Sequence, residues 1–324
     1  MKAMMVDELG PPEIMQFKEM PDPVAGPGEI RVRIRAVGLN FPDILMIAGK
    51  YQHKPDLPFA PGMEAAGEVL DVGDGVTDYA PGQRVIIHGK GGMYAEQAVV
   101  PEAWAVPLPE SWSFEEGAAF WSAYLTAYVG LVSRGRMQAG ETALIHGAAG
   151  GVGLAAVELA HALGARVIAV AGGKAKCDAV LAKGADFAID HRTESFRDRV
   201  MEITDGAGAD VIYDPVGGDV VFQSLRSIAW GGRLLIIGFA GGTIPEVPAN
   251  YALLKSCKVI GVRAGEYGRR DPAAGRQVMR HMLELADSGK LQPHVHAVMP
   301  LQRAVDALAE ISSRRVVGKM VLAC

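Results

Sequence analysis

The sequence has few cysteines and no long apolar run. Only Cys177, Cys257 and Cys324 occur in the 324 residues, and no two of them form a CxxC pair. A disulfide framework is therefore excluded, and we expect a reducing, cytoplasmic environment. No stretch approaches the roughly 18 apolar residues of a membrane span, and Asp7 and Glu8 stand where a secretory signal would need its apolar core. The sequence thus predicts that no membrane is a partner.

An excess of basic residues is also absent. Lysine and arginine number 32 against 37 aspartates and glutamates, so the formal net charge is −5 and nucleic acid is not an expected partner. A hydrophobic content of 49% with 21% charged residues is typical of a globular protein and excludes a disordered chain. At roughly 150 residues per domain, the length predicts about two domains.

The first part of the chain has the pattern of short strands. Apolar residues alternate with charged ones over 30–37, and further strands are predicted over 65–73, 83–89 and 94–100, bounded by glycine, proline and aspartate. Prolines in the first 27 residues exclude a long helix there. Residues 1 to about 118 therefore favour an antiparallel barrel or sandwich.

From about residue 120 the pattern changes to strands alternating with helices. Six mostly apolar strands are predicted, over 142–146, 166–170, 187–189, 209–214, 232–238 and 258–262. Helices are predicted between them, for example over 153–163 and 174–184. This alternation indicates an α/β fold with a doubly wound parallel sheet. After it come a helix (about 272–288), a strand (294–299), a helix (301–312) and a last strand (318–323).

A glycine-rich motif stands at the first strand-to-helix turn of this region. Gly147, Gly150 and Gly153 are spaced GxxGxxG, with Gly151 added, between an apolar strand and a helix. Glycines there allow a tight turn, approach of the backbone to a pyrophosphate, and close packing of the helix on the strand. The helix N-terminus adds free N–H groups for the phosphates. The alternative is a tight turn without a ligand, but the six-strand context favours a dinucleotide.

The end of the second strand indicates which dinucleotide. An NAD site usually has a carboxylate there to bind the ribose 2′-hydroxyl. Here the strand is followed by Gly172, Gly173, Lys174 and then Lys176. Small residues leave room for a 2′-phosphate, and an ammonium group pairs with it. NADPH is therefore the predicted cofactor, the alternative being that these lysines are the solvated start of a helix.

These motifs resemble a known family. GAAGGVG (147–153), DPVGG (214–218), VGKMVL (317–322), GLNFPDILMIAGKY (38–51) and FAPGMEAAGEV (59–69) are similar to the zinc-free quinone oxidoreductase branch, the zeta-crystallin-like proteins, of the medium-chain dehydrogenase/reductase superfamily. The resemblance covers essentially the whole chain. It implies a GroES-like β-barrel catalytic domain (1–120, with 263–324 returning to it), a Rossmann NADPH-binding domain (121–262), and a homodimer formed through a sheet edge, 258–262.

Two zinc ligands of the related zinc dehydrogenases are replaced. Asn40 stands at about the position of a cysteine ligand, and Met63 replaces the histidine of a Gly-His-Glu triplet. Methionine does not substitute for a neutral imidazole on zinc. We therefore expect no metal. Without a Lewis acid, the acceptor must already be electrophilic, which favours a quinone or an alkene conjugated to a carbonyl.

The resemblance also implies individual site residues. Asn40 and Tyr51 are the catalytic candidates: Asn40 near the nicotinamide ribose, Tyr51 lining the substrate cleft, with Asp43 bonding locally at a helix start. The alternatives are a turn residue for Asn40 and simple packing for Tyr51. The cofactor-binding candidates are Asn40, Thr126, Gly150, Gly151, Val152, Gly172, Lys176, His191, Gly238, Phe239, Ala240 and Lys319.

The physiological acceptor stays open at this stage. We predict an NADPH-dependent reductase of quinones or other conjugated carbonyls. The alternatives are a 2-alkenal or enoyl-CoA reductase of the same fold, and an NADPH-binding protein without catalysis. The resemblance implies a loop at the mouth of the cleft over 263–271. Its Arg263, Arg269 and Arg270 either attract an anionic acceptor such as an acyl-CoA or belong to a solvated loop, and both explanations stay open.

Overall fold

The structure, a computed structural model, describes residues 1–324 as two compact units. One unit comprises Met1–Ser122 together with Pro293–Cys324, and the other comprises Ala123–Gln292. The chain therefore leaves the first unit once and returns to it for its last 32 residues, Pro293–Cys324.

Fifteen strands are formed. In chain order they are β1 (Lys2–Met5), β2 (Gln16–Glu19), β3 (Glu29–Gly38), β4 (Glu64–Val72), β5 (Arg84–His88), β6 (Gln97–Pro101), β7 (Ala105–Pro107), β8 (Thr142–Ile145), β9 (Arg166–Ala171), β10 (Phe187–Asp190), β11 (Ala209–Asp214), β12 (Ile228–Ile236), β13 (Lys258–Gly261), β14 (Val295–Pro300) and β15 (Lys319–Ala323).

Eleven α-helices accompany them, together with one π-helical segment (Val129–Arg134) and three short 3-10 turns (Pro12–Ile14, Glu102–Trp104 and Leu301–Arg303). The helices are α1 (Phe41–Ile47), α2 (Phe114–Ala118), α3 (Trp121–Tyr128), α4 (Gly151–Ala162), α5 (Lys174–Ala182), α6 (Phe196–Ile203), α7 (Asp219–Ser227), α8 (Ala249–Lys255), α9 (Ala264–Arg270), α10 (Pro272–Asp287) and α11 (Ala304–Ser312). None of these helices has the length and apolar character needed to cross a membrane.

The first unit is built on a seven-stranded sheet. Its order is β14-β15-β3-β4-β5-β7, with β6 paired to β3, and every pair except β14–β15 is antiparallel. Along β3, Ile30, Val32 and Ile34 are buried while the intervening arginines face outward, as the alternation of the sequence predicted. The C-terminal strand β15 enters this sheet beside β3, so the two ends of the chain share one core.

The second unit contains the predicted parallel sheet. Its strand order, β10-β9-β8-β11-β12-β13, is that of a doubly wound dinucleotide-binding sheet. All four residues of β8 are buried, as expected for a central strand covered on both faces. The order reverses between β8 and β11, and the loops after their carboxyl ends are where such sheets bind ligands. The predicted fold class, a Rossmann sheet with a GroES-like domain, is confirmed.

Two expectations about the region after β13 are wrong. Residues 263–271 do not form a loop but contain helix α9, in which Glu266 pairs with Arg269 three residues later. The chain also returns to the first unit at Pro293, not at residue 263. Helix α10 belongs to the second unit because its apolar face is buried there and His281 Nδ1 lies 2.6 Å from the Tyr128 hydroxyl.

Candidate functional site

The glycine-rich turn joins β8 to α4 with very little space between its backbone segments. Gly147 adopts a left-handed conformation with φ of 54°. A Cβ atom on Gly153 would lie 2.2 Å from the Gly147 carbonyl oxygen, so only glycine fits there. Gly150, the N-cap of α4, is different, because a Cβ atom on it would meet only that same oxygen at 3.4 Å. The space in front of Gly150 is therefore open to a ligand.

The predicted residues Gly150, Gly151 and Val152 thus lie at the N-terminus of α4. No side chain caps this helix, which leaves its first N–H groups directed at the open space. Free N–H groups and the positive end of the helix dipole form a site for an anionic group. The geometry suits the pyrophosphate of a dinucleotide.

Two further loops pack beside the glycine turn. The Ala240 N–H donates to the Pro215 carbonyl at 3.0 Å, and a Cβ atom on Gly147 would contact Pro215 and Val216 at 3.4 Å. The loops after β8, β11 and β12 are therefore contiguous, and the predicted residues Gly238, Phe239 and Ala240 lie in the third of them. The side chain of Phe239 is half-exposed.

Asp214, at the end of β11, holds the second of these loops. Its Oδ1 atom accepts the N–H groups of Val216 at 2.7 Å and Gly217 at 3.1 Å. Burial raises the pKa of Asp214, and these two hydrogen bonds oppose that shift. Asp214 is not among the predicted site residues, although its segment DPVGG (214–218) carries the family resemblance and has the composition of a turn.

A basic corner forms at the end of β9. Gly172 and Gly173 are overlain by side chains from the turn after β10: a Cβ atom on Gly172 would lie 2.8 Å from His191 Nε2, and one on Gly173 would lie 3.1 Å from Arg192 Nη1. Lys176 lies in the first turn of α5, where burial and then the charge of Arg192 lower its pKa. His191, Arg192 and Lys176 therefore meet at one place.

The carboxylate nearest to this corner is turned toward the backbone. Oδ1 of Asp190 accepts the N–H groups of Gly173 at 2.9 Å and Arg192 at 3.0 Å. These bonds lower the pKa of Asp190 and hold the loop that carries His191 and Arg192. The basic side chains are thus placed over the glycines by an ionised carboxylate that is itself engaged with the main chain.

Arg192 is a residue that the sequence analysis missed. Its position follows from the strand order, since β10 lies next to β9 and the carboxyl ends of parallel strands meet at one edge of the sheet. A search of the residues after the third strand for cations would have found it beside His191. Thr126, also predicted, lies apart from these loops in sequence, half-buried on α3.

In the first unit, a buried polar cluster surrounds Asn40. Asn40 Nδ2 donates to Glu64 Oε1 at 2.9 Å, and Asn40 Oδ1 accepts from Lys319 Nζ at 2.7 Å. Lys319 Nζ also donates to Glu64 Oε1 and to the Leu39 carbonyl at 2.7 and 2.6 Å. All three N–H groups of Lys319 are thereby engaged. A contact from Lys319 to a cofactor would require one of these bonds to break.

A second buried pair supports the backbone of Asn40. Asp43 Oδ2 accepts the Asn40 N–H at 2.8 Å and the Tyr94 hydroxyl at 3.0 Å, while Asp43 Oδ1 has no partner. Asp43 is fully buried, and burial raises its pKa to about 7. The predicted local bond of Asp43 at a helix start is confirmed. Asn40 is the N-cap of α1, so both its main chain and its amide are fixed.

Tyr51 follows α1 and is half-buried against the core of the first unit, with its N–H donating to the Leu45 carbonyl at 3.1 Å. Met63, which the resemblance puts at the position of a zinc ligand, packs half-buried against the same core. No group of three or more His, Cys, Asp or Glu side chains in residues 1–324 is arranged to hold a metal ion.

Comparison with known proteins agrees with both units. The model described as "Alcohol dehydrogenase GroES-like domain" matches residues 26–110, and the one described as "Zinc-binding dehydrogenase" matches residues 151–287. A quinone oxidoreductase-like protein 2 homolog from Nematostella vectensis is 42% identical, over 99% of this chain and 88% of that protein.

Solved structures of bacterial enzymes are similar over the full length. The quinone oxidoreductase of Pseudomonas syringae is 35% identical with a TM-score of 0.91, covering 100% of this chain and 99% of the other. The quinone oxidoreductase of Escherichia coli, solved in complex with NADPH, is 32% identical with a TM-score of 0.90, and each chain is covered completely. This chain therefore belongs to the quinone oxidoreductase branch of the medium-chain dehydrogenase/reductase superfamily, and it is an oxidoreductase of that family.

Proposed function

We propose that this protein is an NADPH-dependent oxidoreductase that transfers hydride to quinones or other conjugated carbonyls without zinc. The observation that carries the proposal is the basic corner, where His191, Arg192 and Lys176 meet over Gly172 and Gly173. A 2′-phosphate is the feature that distinguishes NADPH from NADH, and cationic side chains are what recognise it. The second unit is accordingly proposed as the NADPH-binding domain and the first unit as the catalytic domain.

The residues present fit this cofactor. The open space before Gly150 and the free N–H groups of α4 would hold the pyrophosphate, and the basic corner would hold the 2′-phosphate. In the proposal, Thr126 and the loop Gly238–Ala240 lie toward the nicotinamide. That the similar Escherichia coli enzyme was solved with NADPH supports this assignment. The bound cofactor supplies the hydride.

The chain's own residues then orient the acceptor. The Asn40 amide is held in one orientation by Glu64 and Lys319, which suits it to a positioning role. The Tyr51 hydroxyl is the proposed group that orients a carbonyl oxygen or delivers a proton to it. Neither Asn40 nor Met63 offers a zinc ligand of the expected type. We therefore propose an acceptor that is electrophilic by itself.

The cofactor assignment is tested by removing the two cations separately. We expect Lys176→Ala and Arg192→Ala each to weaken NADPH binding roughly tenfold to a hundredfold, since each removes a charged hydrogen bond of about 1.5–3 kcal/mol. NADH binding should change little. Lys174→Ala is the matched control, because Lys174 is 87% exposed and paired with Asp178. Titration by cofactor fluorescence measures all three, and equal losses for NADPH and NADH would contradict the assignment.

The acceptor is tested by NADPH oxidation with 1,4-benzoquinone, 9,10-phenanthrenequinone, an alkenal and crotonyl-CoA. Quinone-dependent turnover is expected, and Tyr51→Phe should lower kcat more than it changes NADPH affinity. Faster turnover of the alkenal or crotonyl-CoA would favour the enone reductase alternative. The exposed Arg263 and Arg270 of the α9 region are the feature that suits an anionic acyl-CoA. Binding of NADPH with no turnover at all would favour the non-catalytic alternative.

We also propose that the protein is a cytoplasmic homodimer. All three cysteines are free, which is consistent with a reducing compartment. Strand β13 ends the parallel sheet, and its Val259 is 38% exposed. An unpaired apolar edge of this kind is a surface on which a second copy can add its own strand.

A further inference from the structure

A basic cavity lies at the end of the parallel sheet opposite to the glycine turn. It has a volume of about 550 Å³ and is formed where the π-helical segment (Val129–Arg134) ends beside the beginnings of β12 and β13. Glu141, one of its lining residues, directly precedes β8, whereas the glycine turn follows the carboxyl end of the same strand. The cavity is therefore separate from the proposed cofactor site.

The wall of the cavity carries one neutralised pair. Arg233 binds Glu141 through two parallel hydrogen bonds of 2.8 and 2.6 Å, and its Nε donates to the Gly135 carbonyl at 2.8 Å. Its Nη1 also donates to the Asp210 carbonyl and its Nη2 to the Arg136 carbonyl, each at 3.3 Å. Arg233 is thus a structural support, and the charge of Glu141, the one lining carboxylate, is already compensated.

Three further cations line the same cavity. They are Arg134, Arg136 and Lys258, all of them exposed, and Ser133 lines the cavity as well. None of the three cations forms an ion pair with an acidic side chain anywhere in residues 1–324. The cavity therefore carries about three uncompensated positive charges, in a molecule whose formal net charge is −5. Such a local concentration attracts a multiply charged anion.

The backbone at the end of the π-helical segment positions Arg136. Arg136 has a φ of 49°, in the left-handed region, where its N–H closes the π-helical segment by donating to the Val132 carbonyl. Glycine or asparagine is the usual residue at such a helix end. This conformation at the helix end places the Arg136 side chain among the residues that line the cavity.

We propose that this cavity binds a small phosphate-bearing anion, such as a phosphate ester or a pyrophosphate. Guanidinium groups match phosphate oxygens in geometry as well as charge, and the Ser133 hydroxyl supplies a neutral donor. The volume lies within the range of small-molecule sites. This proposal does not depend on the identity of the acceptor or of the cofactor.

The test is calorimetric titration of the whole protein with inorganic pyrophosphate at constant ionic strength, with saturating NADPH present to occupy the glycine turn. We expect binding that Arg134→Gln combined with Arg136→Gly weakens at least tenfold. Lys258→Gln should weaken it as well, and its sedimentation must match that of the wild type, because Lys258 lies on β13, the strand proposed as the dimer contact. Arg276→Gln combined with Arg280→Gln removes the same two charges from exposed positions on α10 outside the cavity, and this control should leave binding unchanged.

Three outcomes would overturn the proposal: no binding of pyrophosphate, unchanged binding in the cavity variants, or citrate binding as tightly as pyrophosphate. Glycine suits the left-handed backbone at position 136, so the double variant should keep its Tm. If pyrophosphate bound only at the glycine turn, Gly150→Ala would weaken its binding in the absence of NADPH and the cavity variants would not. That result would also contradict the proposal that the cavity binds a phosphate-bearing anion, whether or not the NADPH proposal holds.

Discussion

At Asp43 a carboxyl group is enclosed with one oxygen bonded and the other without a partner. Its folded pKa of about 7 lies above the ordinary value of 3.8, so between these values the folded state retains a proton that the unfolded state has lost. The free energy of unfolding contributed by this group therefore falls as the pH rises from about 4 to 7, by about 1.4 kcal/mol per pH unit.

Asp43→Asn removes this titration and keeps an oxygen that accepts the Asn40 N–H. Relative to the wild type, the variant should gain about 3 kcal/mol in stability between pH 4.5 and pH 6.5. Urea unfolding followed by tryptophan fluorescence measures the change, because Trp104, Trp112 and Trp121 belong to the same unit. A difference between variant and wild type that stays constant with pH would contradict the raised pKa.

His146 shows the opposite pH dependence. It is buried at the end of β8, with Nε2 2.9 Å from Ser224 Oγ and its ring edge-to-face with Phe196. Burial lowers its pKa from 6.5 to about 3, so the imidazole stays neutral in the folded state. The unfolded chain takes up a proton as the pH falls below 6.5, and stability falls with it.

We expect the His146 ring signals in an NMR titration to stay constant between pH 5 and pH 8. His146→Gln should remove about 2 kcal/mol of the stability difference between pH 7 and pH 5. The reason is that about 1.5 pH units of this interval lie below the unfolded pKa of 6.5 and above the folded pKa of about 3, and each contributes about 1.4 kcal/mol. His161→Gln, on the exposed end of α4, is the control. A His146 signal that titrates with a midpoint near 6.5 would show that the ring is accessible to protons.

Among the elements, the turn from β8 to α4 contains two glycines, Gly150 and Gly153, that differ in the space available to a side chain. At Gly153 the reason for glycine is internal, since a Cβ atom would lie 2.2 Å from a backbone oxygen. At Gly150 no such obstacle exists, and the conformation, with φ of −78°, is open to any residue. We propose that the reason at Gly150 is the approach of a ligand.

This difference predicts that replacement by alanine lowers NADPH affinity at Gly150 and stability at Gly153. Gly150→Ala should keep its Tm and lose at least tenfold in NADPH affinity, because the added methyl occupies the path of the pyrophosphate. Gly153→Ala should lower stability by about 1–3 kcal/mol through overpacking. Thermal unfolding and cofactor titration of the two variants, each the control for the other, check this. A Gly150→Ala protein with full NADPH affinity would mean that the turn has only a structural role.

On the scale of the whole molecule, each unit ends its sheet with an exposed strand. We predict a homodimer through β13, with twice the chain mass of 34.3 kDa. Val259→Lys should give a folded monomer in analytical ultracentrifugation, because a lysine on an edge strand opposes pairing. Val298→Lys is the matched control, since Val298 is 46% exposed on β14, the edge strand of the other sheet. A dimer that survives Val259→Lys and dissociates with Val298→Lys would place the interface in the first unit.

Much of the molecule follows from local patterns in the sequence. The six parallel strands, the long helix α10 and the glycine turn were predicted within a few residues, because burial on both faces and the steric freedom of glycine leave direct marks on the sequence. The loop expected over 263–271 is a helix because paired charges on its surface, such as Glu266 and Arg269, stabilise a segment that apolar periodicity does not reveal.

The residue pattern alone is therefore enough for the fold class and the family, and it predicts the glycines at which a phosphate would approach the backbone. Which distant groups meet is visible only in the folded chain. Lys319 lies with Asn40 and Glu64, 279 and 255 residues away in the sequence, Arg192 lies over Gly173, and three cations line one cavity. Strand order and burial bring these side chains together, and a charge or hydrogen bond between residues far apart in sequence has no local signature. Whether a lysine is a ligand for a cofactor or the fixed support of an asparagine depends on that arrangement.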